Sequence, residues 1–305
     1  MIYEKHGRVV KGLGGLYEVV TDGGRLTCRA KGNLKRDEEK LLVGDSVTVT
    51  VDDSTPDGIV ISDVHQRKNS LIRPPLSNLD YIFIVFAARK PAPVLETVDK
   101  LTAVAEHNNI TPVVVITKSD LSPELATEYA AIYRTAGIAT FVTSSESGEG
   151  TEELREYIAT TVKCGASAAF AGASGVGKST LMNALFPSLA LATSEISRKI
   201  ERGRHTTRHV ELFEVENGGY LADTPGFSLI DFERFNFFSL DDLIPAFPDI
   251  AALTGGCRYA DCAHVGEGAE ECAVARAVRD GSVAKTRLES SRAIYRVLKN
   301  KNSYD

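Results

Sequence analysis

The 305-residue chain has no apolar run long enough to cross a bilayer. The longest, Tyr81 to Ala88, is eight residues, against roughly 20 for a membrane helix. It shows no basic-then-apolar leader, because Glu4, Lys5, His6 and Arg8 interrupt the start at once. A cytoplasmic protein, without membrane attachment, is the expectation. Cysteine is sparse: five residues, an odd number without an export signal, which argues against a disulfide framework. Positive charge is not in excess. Lys and Arg total 35 against 41 Asp and Glu, a net of −6. This excludes a uniformly basic nucleic-acid coat, but not local basic clusters, because attraction to phosphate is local. Internal repeats are absent. What remains, 43% hydrophobic and 25% charged, is ordinary globular composition. At roughly 150 residues per domain the length suggests about two domains, with three small ones possible.

Short β-rich runs fill the first 67 residues: Arg8 to Lys11, Leu16 to Val20, Leu26 to Ala30, Ser46 to Val51 and Ile59 to Val64. Gly-Gly, Asp-Gly and charged loops separate them. Five strands in so short a stretch predict a small barrel, an OB-fold first and an SH3-like barrel second. From Asp80 the pattern changes. Tyr81 to Ala88, Pro112 to Thr117, Ala139 to Thr143 and Ser167 to Ala171 read as strands. Helical stretches lie between them at Leu95 to Ala105, Glu124 to Ala136 and Glu152 to Val162. That alternation predicts a parallel sheet covered by helices. The last 65 residues differ again, with Cys257, Cys262, His264 and Cys272 crowded together and then a helix from about Val283 to Lys299.

Gly172-Ala-Ser-Gly-Val-Gly-Lys-Ser179 has the P-loop spacing, preceded by a buried strand and followed by a helical run from Thr180. A loop that wraps phosphate oxygens needs bare backbone, and its N–H groups and the helix N-terminus supply positive potential. Gly172, Ala173, Ser174, Gly175, Val176, Gly177, Lys178, Ser179 and Thr180 are therefore expected around the phosphates. Lys178 would reach the β- and γ-phosphates, and Ser179 would ligate Mg²⁺. Asp223-Thr-Pro-Gly226 ends a later strand; Asp223 would hold Mg²⁺ through water, and Gly226 would offer its N–H to the γ-phosphate. Thr117-Lys-Ser-Asp120 is similar to the guanine-specificity element Asn-Lys-x-Asp. There Asp120 accepts from guanine N1–H and N2 while Lys118 lies along the base; Ser119 completes the turn. Adenine offers neither donor, so the site discriminates. Thr117 departs from the usual Asn and lacks its carboxamide. Thr143-Ser-Ser145 resembles the element that meets guanine O6, with Ser144 and Ser145 as contacts. The guanine elements precede the phosphate loop, the reverse of an ordinary small GTPase. The chain therefore reads as circularly permuted, which neighbouring termini permit.

With that order, the leading barrel, Arg67-Lys-Asn-Ser-Leu-Ile-Arg-Pro74, Gly203-Arg-His-Thr-Thr207 and the terminal cysteine cluster, the sequence resembles the RsgA (YjeQ) family of permuted small-ribosomal-subunit biogenesis GTPases. The likeness runs nearly the whole chain. It implies a multi-domain protein: an OB-fold at 1–67, a circularly permuted α/β P-loop GTPase domain at 68–232, and a mainly α zinc-binding domain at 233–305. It also implies GTP hydrolysis stimulated by the small subunit, a role in late 30S maturation, and contact with 16S rRNA. By the same resemblance His205 orients the attacking water. Phe227, where many GTPases have Gln, cannot polarise water, so intrinsic turnover should be slow and depend on a partner. The basic stretch Arg198 to Arg208 stands where switch I belongs. Thr206 or Thr207 there can close on Mg²⁺, Thr207 being the candidate.

Three thiolates and an imidazole make a closed, structural tetrahedral Zn²⁺ site. Seven residues separate His264 from Cys272, where the family pattern has five, which implies a longer loop from Val265 to Glu271. The following helix carries Lys285, Arg287, Arg292, Arg296 and Lys299 against Glu289 alone and reads as an rRNA surface. Only Tyr3 and Tyr17 supply aromatics to the barrel, so a base-stacking platform is poorly furnished there. Lys31, Lys35, Arg36 and Lys40 can meet backbone phosphates, which suits structured RNA better than single strands. A monomer is expected. The competing readings are an RNA-binding module with a structural nucleotide, and a permuted GTPase of large-subunit assembly.

Overall fold

The computed structural model describes residues 1–32, 40–55, 58–187, 210–223, 232 and 234–301. The chain divides into two compact units. One is formed by Met1–Tyr81, Ala159–Phe170 and Leu191–Pro225, the other by Ile82–Ile158, Ala171–Ala190 and Gly226–Asp305.

In the first unit, β1 (Ile2–Leu13), β2 (Leu16–Thr21), β3 (Gly24–Ala30), β4 (Ser46–Asp52) and β5 (Ile59–Val64) close a barrel. Its order is β1-β2-β3-β5-β4, with β4 returning to β1. All neighbours are antiparallel except β3 and β5. This is the five-stranded OB arrangement. Period-two alternation drives it: Val47, Val49 and Val51 of β4 point inward with Val9, Val19, Cys28 and Ile61, while Ser46 and Thr50 are half-buried on the other face and Thr48 there is covered by His6 and His65.

β1 is much longer than the sequence pattern predicts, because its first half is mostly exposed and carries Tyr3, Glu4, Lys5 and His6. A register shift between Val9 and Lys11 bends the strand. It then reaches a strand absent from the sequence reading, β12 (Glu211–Glu214), where Lys11 pairs with Glu211 in the ladder and by a 2.8 Å salt bridge. Beyond it, β12 runs antiparallel to β13 (Tyr220–Asp223), and β13 runs parallel to β11 (Ser167–Ala171).

The Arg67–Pro74 segment is anchored to this unit through Asp45. Asp45 is fully buried and accepts from Arg67 Nε at 2.7 Å, Leu42 N–H at 2.7 Å and the Ser77 hydroxyl at 2.6 Å. A small hairpin, β6 (Ser70–Leu71) with β7 (Leu76–Ser77), begins in this segment and ends just past it, and Asn69 and Asn78 tie its ends together. Asp45→Ala would remove the buried carboxylate shared by Arg67, Leu42 and Ser77, leaving Arg67 the Lys40 carbonyl and Ser77 the Val43 carbonyl. It is expected to cost about 3–5 kcal/mol in urea unfolding; a loss under about 1 kcal/mol would show the network to be dispensable.

The second unit holds β8 (Tyr81–Ala87), α1 (Leu95–His107), β9 (Thr111–Thr117), α2 (Pro123–Thr135), β10 (Ala139–Val142), α3 (Thr151–Thr161) and α4 (Lys178–Leu185). The strands lie in the order β10-β9-β8, with β10 parallel to β9. Residues 82–87 and 112–117 are buried throughout, as continuous apolar strands covered on both faces require. After them come α5 (Pro248–Ala251), α6 (Ala273–Arg279) and α7 (Lys285–Lys301). Among the described residues no helix is long and apolar enough to cross a membrane.

Candidate functional site

The chain leaves β11 at Ala171 and turns through 172–177 into α4. Two glycines are required by geometry. A Cβ on Gly172 would lie 2.2 Å from the Val85 carbonyl oxygen of β8, and Gly177, the N-cap of α4, sits at φ +92°. Val176 is buried, while Ala173, Ser174, Ser179 and Thr180 are exposed.

The end of β9 grips this loop. Thr117, 3% exposed, donates its hydroxyl to the Val176 carbonyl and also faces the Phe86 carbonyl at 3.2 Å. Lys118 is held at φ +55°, and its Nζ donates to the carbonyls of Gly175 and Lys90, each at 2.7 Å. In a trans peptide N–H and C=O point oppositely. Fixing the carbonyls of 175 and 176 toward β9 therefore turns the N–H groups of 176 and 177 the other way, as an anion nest needs. The hydroxyl of Thr117 thus ties the two elements together without the carboxamide of Asn. Sequence reasoning missed this because its partner is a backbone carbonyl 59 residues away.

Asp120 is exposed, and the fully buried Ser144 donates to its Oδ1 at 2.5 Å. Ser144 Oγ also accepts from the N–H groups of Glu146 and Ser147. Ser119 is buried, with its N–H on the Thr143 carbonyl and its hydroxyl on Glu149 Oε2 at 3.0 Å. Ser145 is exposed beside them. The two predicted guanine elements and the phosphate loop thus meet in one unit. Under the loop lies a cavity of about 370 Å3, largely apolar, walled by Ile84, Phe86, Pro91, Val94, Val98 and Ser174 among others. Asp223 is the last residue of β13. His205, Thr206, Thr207, Gly226, Phe227, the Arg198 to Arg208 stretch, Lys35 and Arg36 lie outside the described residues.

The four zinc candidates are brought together despite the seven-residue loop. Their ligand atoms all lie within 4.8 Å of one another. His264 Nδ1 is 3.7, 3.4 and 3.3 Å from the sulfurs of Cys257, Cys262 and Cys272. A tetrahedral Zn²⁺ with ordinary bond lengths sets N and S about 3.5 Å apart, so the donor set fits. The Ala273 and Ala275 N–H groups point at Cys257 and Cys272 sulfurs, both at 3.4 Å, which favours thiolates. Without a cation, burial and the neighbouring thiols push Cys262 up to about 12, and burial lowers His264. A bound metal reverses the thiol shift.

The basic helix needs correction. Arg287 is 1% exposed and faces inward from α7: its NH1 reaches Asp99 of α1 at 3.1 Å and its NH2 reaches Asp249 of α5 at 2.8 Å. Burial opposes its charge, but the two carboxylates more than offset that and hold it protonated. Arg292 Nε is bonded to the His264 carbonyl at 2.6 Å and braces the cysteine cluster. Two of the five predicted surface cations are thus structural.

A strand–loop–helix phosphate cradle, gripped by a Thr-Lys-Ser-Asp turn that comes earlier in the chain, is the layout of a circularly permuted P-loop GTPase. Two family models match the chain: RsgA N-terminal domain over residues 6–60 and RsgA GTPase over 64–233. The chain belongs to the RsgA GTPase family. It is 34% identical to the small ribosomal subunit biogenesis GTPase RsgA of Agathobacter rectalis, over 98% of this chain and 99% of the relative. It is 39% identical to small ribosomal subunit biogenesis GTPase RsgA 2 of Listeria monocytogenes, over 97% and 98%. Among solved structures, YjeQ from Thermotoga maritima matches with a TM-score of 0.79 at 32% identity, covering 97% of this chain and 99% of that one. YloQ, described as a circularly permuted GTPase, matches at 0.77 and 30%, covering 98% and 96%.

Proposed function

We propose that the protein hydrolyses GTP to GDP and phosphate in late maturation of the small ribosomal subunit, with 16S rRNA as its contact. The observation that carries this reading is the grip of Thr117 and Lys118 on the carbonyls of Val176 and Gly175. It supports a reading in which base recognition and phosphate binding share one pocket. Asp120, set by Ser144, takes the guanine edge; Ser119 and Ser145 flank it. Residues 172–180 wrap the phosphates, with Lys178 on the β- and γ-oxygens. Gly226 serves the γ-phosphate. Mg²⁺, bound by Ser179, Asp223 and Thr207, would neutralise charge that develops on the phosphates. His205 orients water in the partner-bound state, since Phe227 has no group to do so. Zn²⁺ on Cys257, Cys262, His264 and Cys272 is structural.

The subunit assignment is supported by near full-length likeness to relatives named for small-subunit biogenesis. Residues 1–67, 68–232 and 233–305 serve as RNA-facing barrel, GTPase and zinc module of a cytoplasmic monomer. Lys285, Arg296 and Lys299 of α7 are exposed and would face rRNA in this reading. The test is GTP turnover alone and with small subunits, large subunits or bare rRNA. Stimulation by small subunits alone is expected; stimulation by large subunits would redirect the role, and none at all would leave the nucleotide structural.

A further inference from the structure

Resting on the reading that Asp120 recognises guanine, we propose that Glu149 is a positioning residue for that recognition. The loop after β10 closes on itself, with Ser144 N–H on the Glu149 carbonyl at 3.0 Å and Gly148 N–H on the Ser144 carbonyl at 2.9 Å. Its far end then turns back, and the Glu149 carboxylate accepts from the Ser119 hydroxyl at 3.0 Å. Ser119 is the immediate neighbour of Asp120 and is 2% exposed.

Two side-chain bonds therefore cross between the guanine elements. Ser144 to Asp120 aims the carboxylate, and Ser119 to Glu149 fixes the turn that carries it. Each depends on the other, because the Ser144 backbone and the Glu149 backbone are one closed loop. Gly150 lets the loop turn this tightly: a Cβ there would lie 1.9 Å from the Val142 carbonyl oxygen. A charged acceptor for the Ser119 hydroxyl is stronger than a neutral one. Exposure of Glu149 to solvent moderates that strength, so the effect falls on the precision of Asp120 rather than on folding.

The experiment measures GDP, IDP and ADP affinity and GDP dissociation for the full chain and for Glu149→Ala, Glu149→Gln, Ser119→Ala and the double Ser119→Ala/Glu149→Ala variant. IDP lacks the 2-amino group that Asp120 accepts from. Glu149→Ala should weaken GDP by about 5- to 30-fold, speed its release and narrow the GDP-over-IDP preference. Glu149→Gln keeps an acceptor and should stay within about 3-fold of wild type. Ser119→Ala should match Glu149→Ala, and the double variant should be no worse than either. A wild-type GDP-over-IDP preference in Glu149→Ala, or additive losses in the double variant, would overturn the role of Glu149 alone. Equal GDP and ADP affinities in the wild type would overturn the reading of the site and this role with it.

Discussion

Asp120→Asn should lower GTP affinity by about 100- to 1,000-fold, the loss expected when two charge-assisted hydrogen bonds to guanine are removed from a site that then leaves donors unpaired. The replacement is nearly isosteric, so the Ser144 contact to Oδ1 has an oxygen to keep. The new amide donor faces the base, and it matches a carbonyl at the 2-position. Xanthosine triphosphate, which has that carbonyl, should bind the variant better than GTP does. Competition binding with GTP, XTP and ATP checks this directly. If the variant held GTP as tightly as wild type, Asp120 would not be reading the base, and the guanine assignment would fail while the phosphate loop stood.

The second large effect concerns metal. Structural Zn²⁺ in small modules is worth about 10–16 kcal/mol in apparent binding energy. The 257–272 segment has little else to hold it: among its described residues only Cys272 and His264 are buried. Metal analysis should find about one zinc per chain. Cys272→Ser is the informative variant. Cys272 is the N-cap of α6, and serine is a good cap but a poor zinc ligand. The variant therefore separates metal from capping. It should lose zinc and loosen α6, seen as rapid amide exchange there. Thiol labelling gives a second readout. Cys164 is exposed and should react in the native protein. Cys257, Cys262 and Cys272 should react only after chelation. Cys28, which burial pushes up to about 11, should react only once the barrel unfolds. A folded protein with all three cluster thiols reactive and no zinc would overturn the site.

Much of this was legible from residues alone, for a definite reason. Strands buried on both faces, such as Tyr81–Ala87 and Thr111–Thr117, announce themselves as unbroken apolar runs, and a phosphate loop leaves little freedom in residue type or spacing. What stayed hidden depends on partners far along the chain. The strand Glu211–Glu214 is short and begins and ends with glutamate, so only pairing with Lys11 and β13 makes it a strand. Arg287 reads as one more surface cation until Asp99, 188 residues earlier, is placed beside it. Thr117 reads as a weakened Asn until its hydroxyl is seen on the Val176 carbonyl. In each case composition and spacing carry no information about which distant group will be the neighbour.

The bend in β1 has a consequence for how this architecture can evolve. Arg8 donates to the Gly165 carbonyl at 2.7 Å and lies 4.9 Å from the centre of the Tyr220 ring, while Lys11 is paired with Glu211. The barrel strand therefore shares its ladder and its charges with sequence more than 150 residues downstream. Excised at residue 67, it would leave those groups facing water and an open strand edge ready to pair with another chain. Such a barrel is no interchangeable cassette: trading it for a homologous one requires matching replacements at 211 and 220, whose side chains meet Lys11 and Arg8, and chimeras that omit them should aggregate.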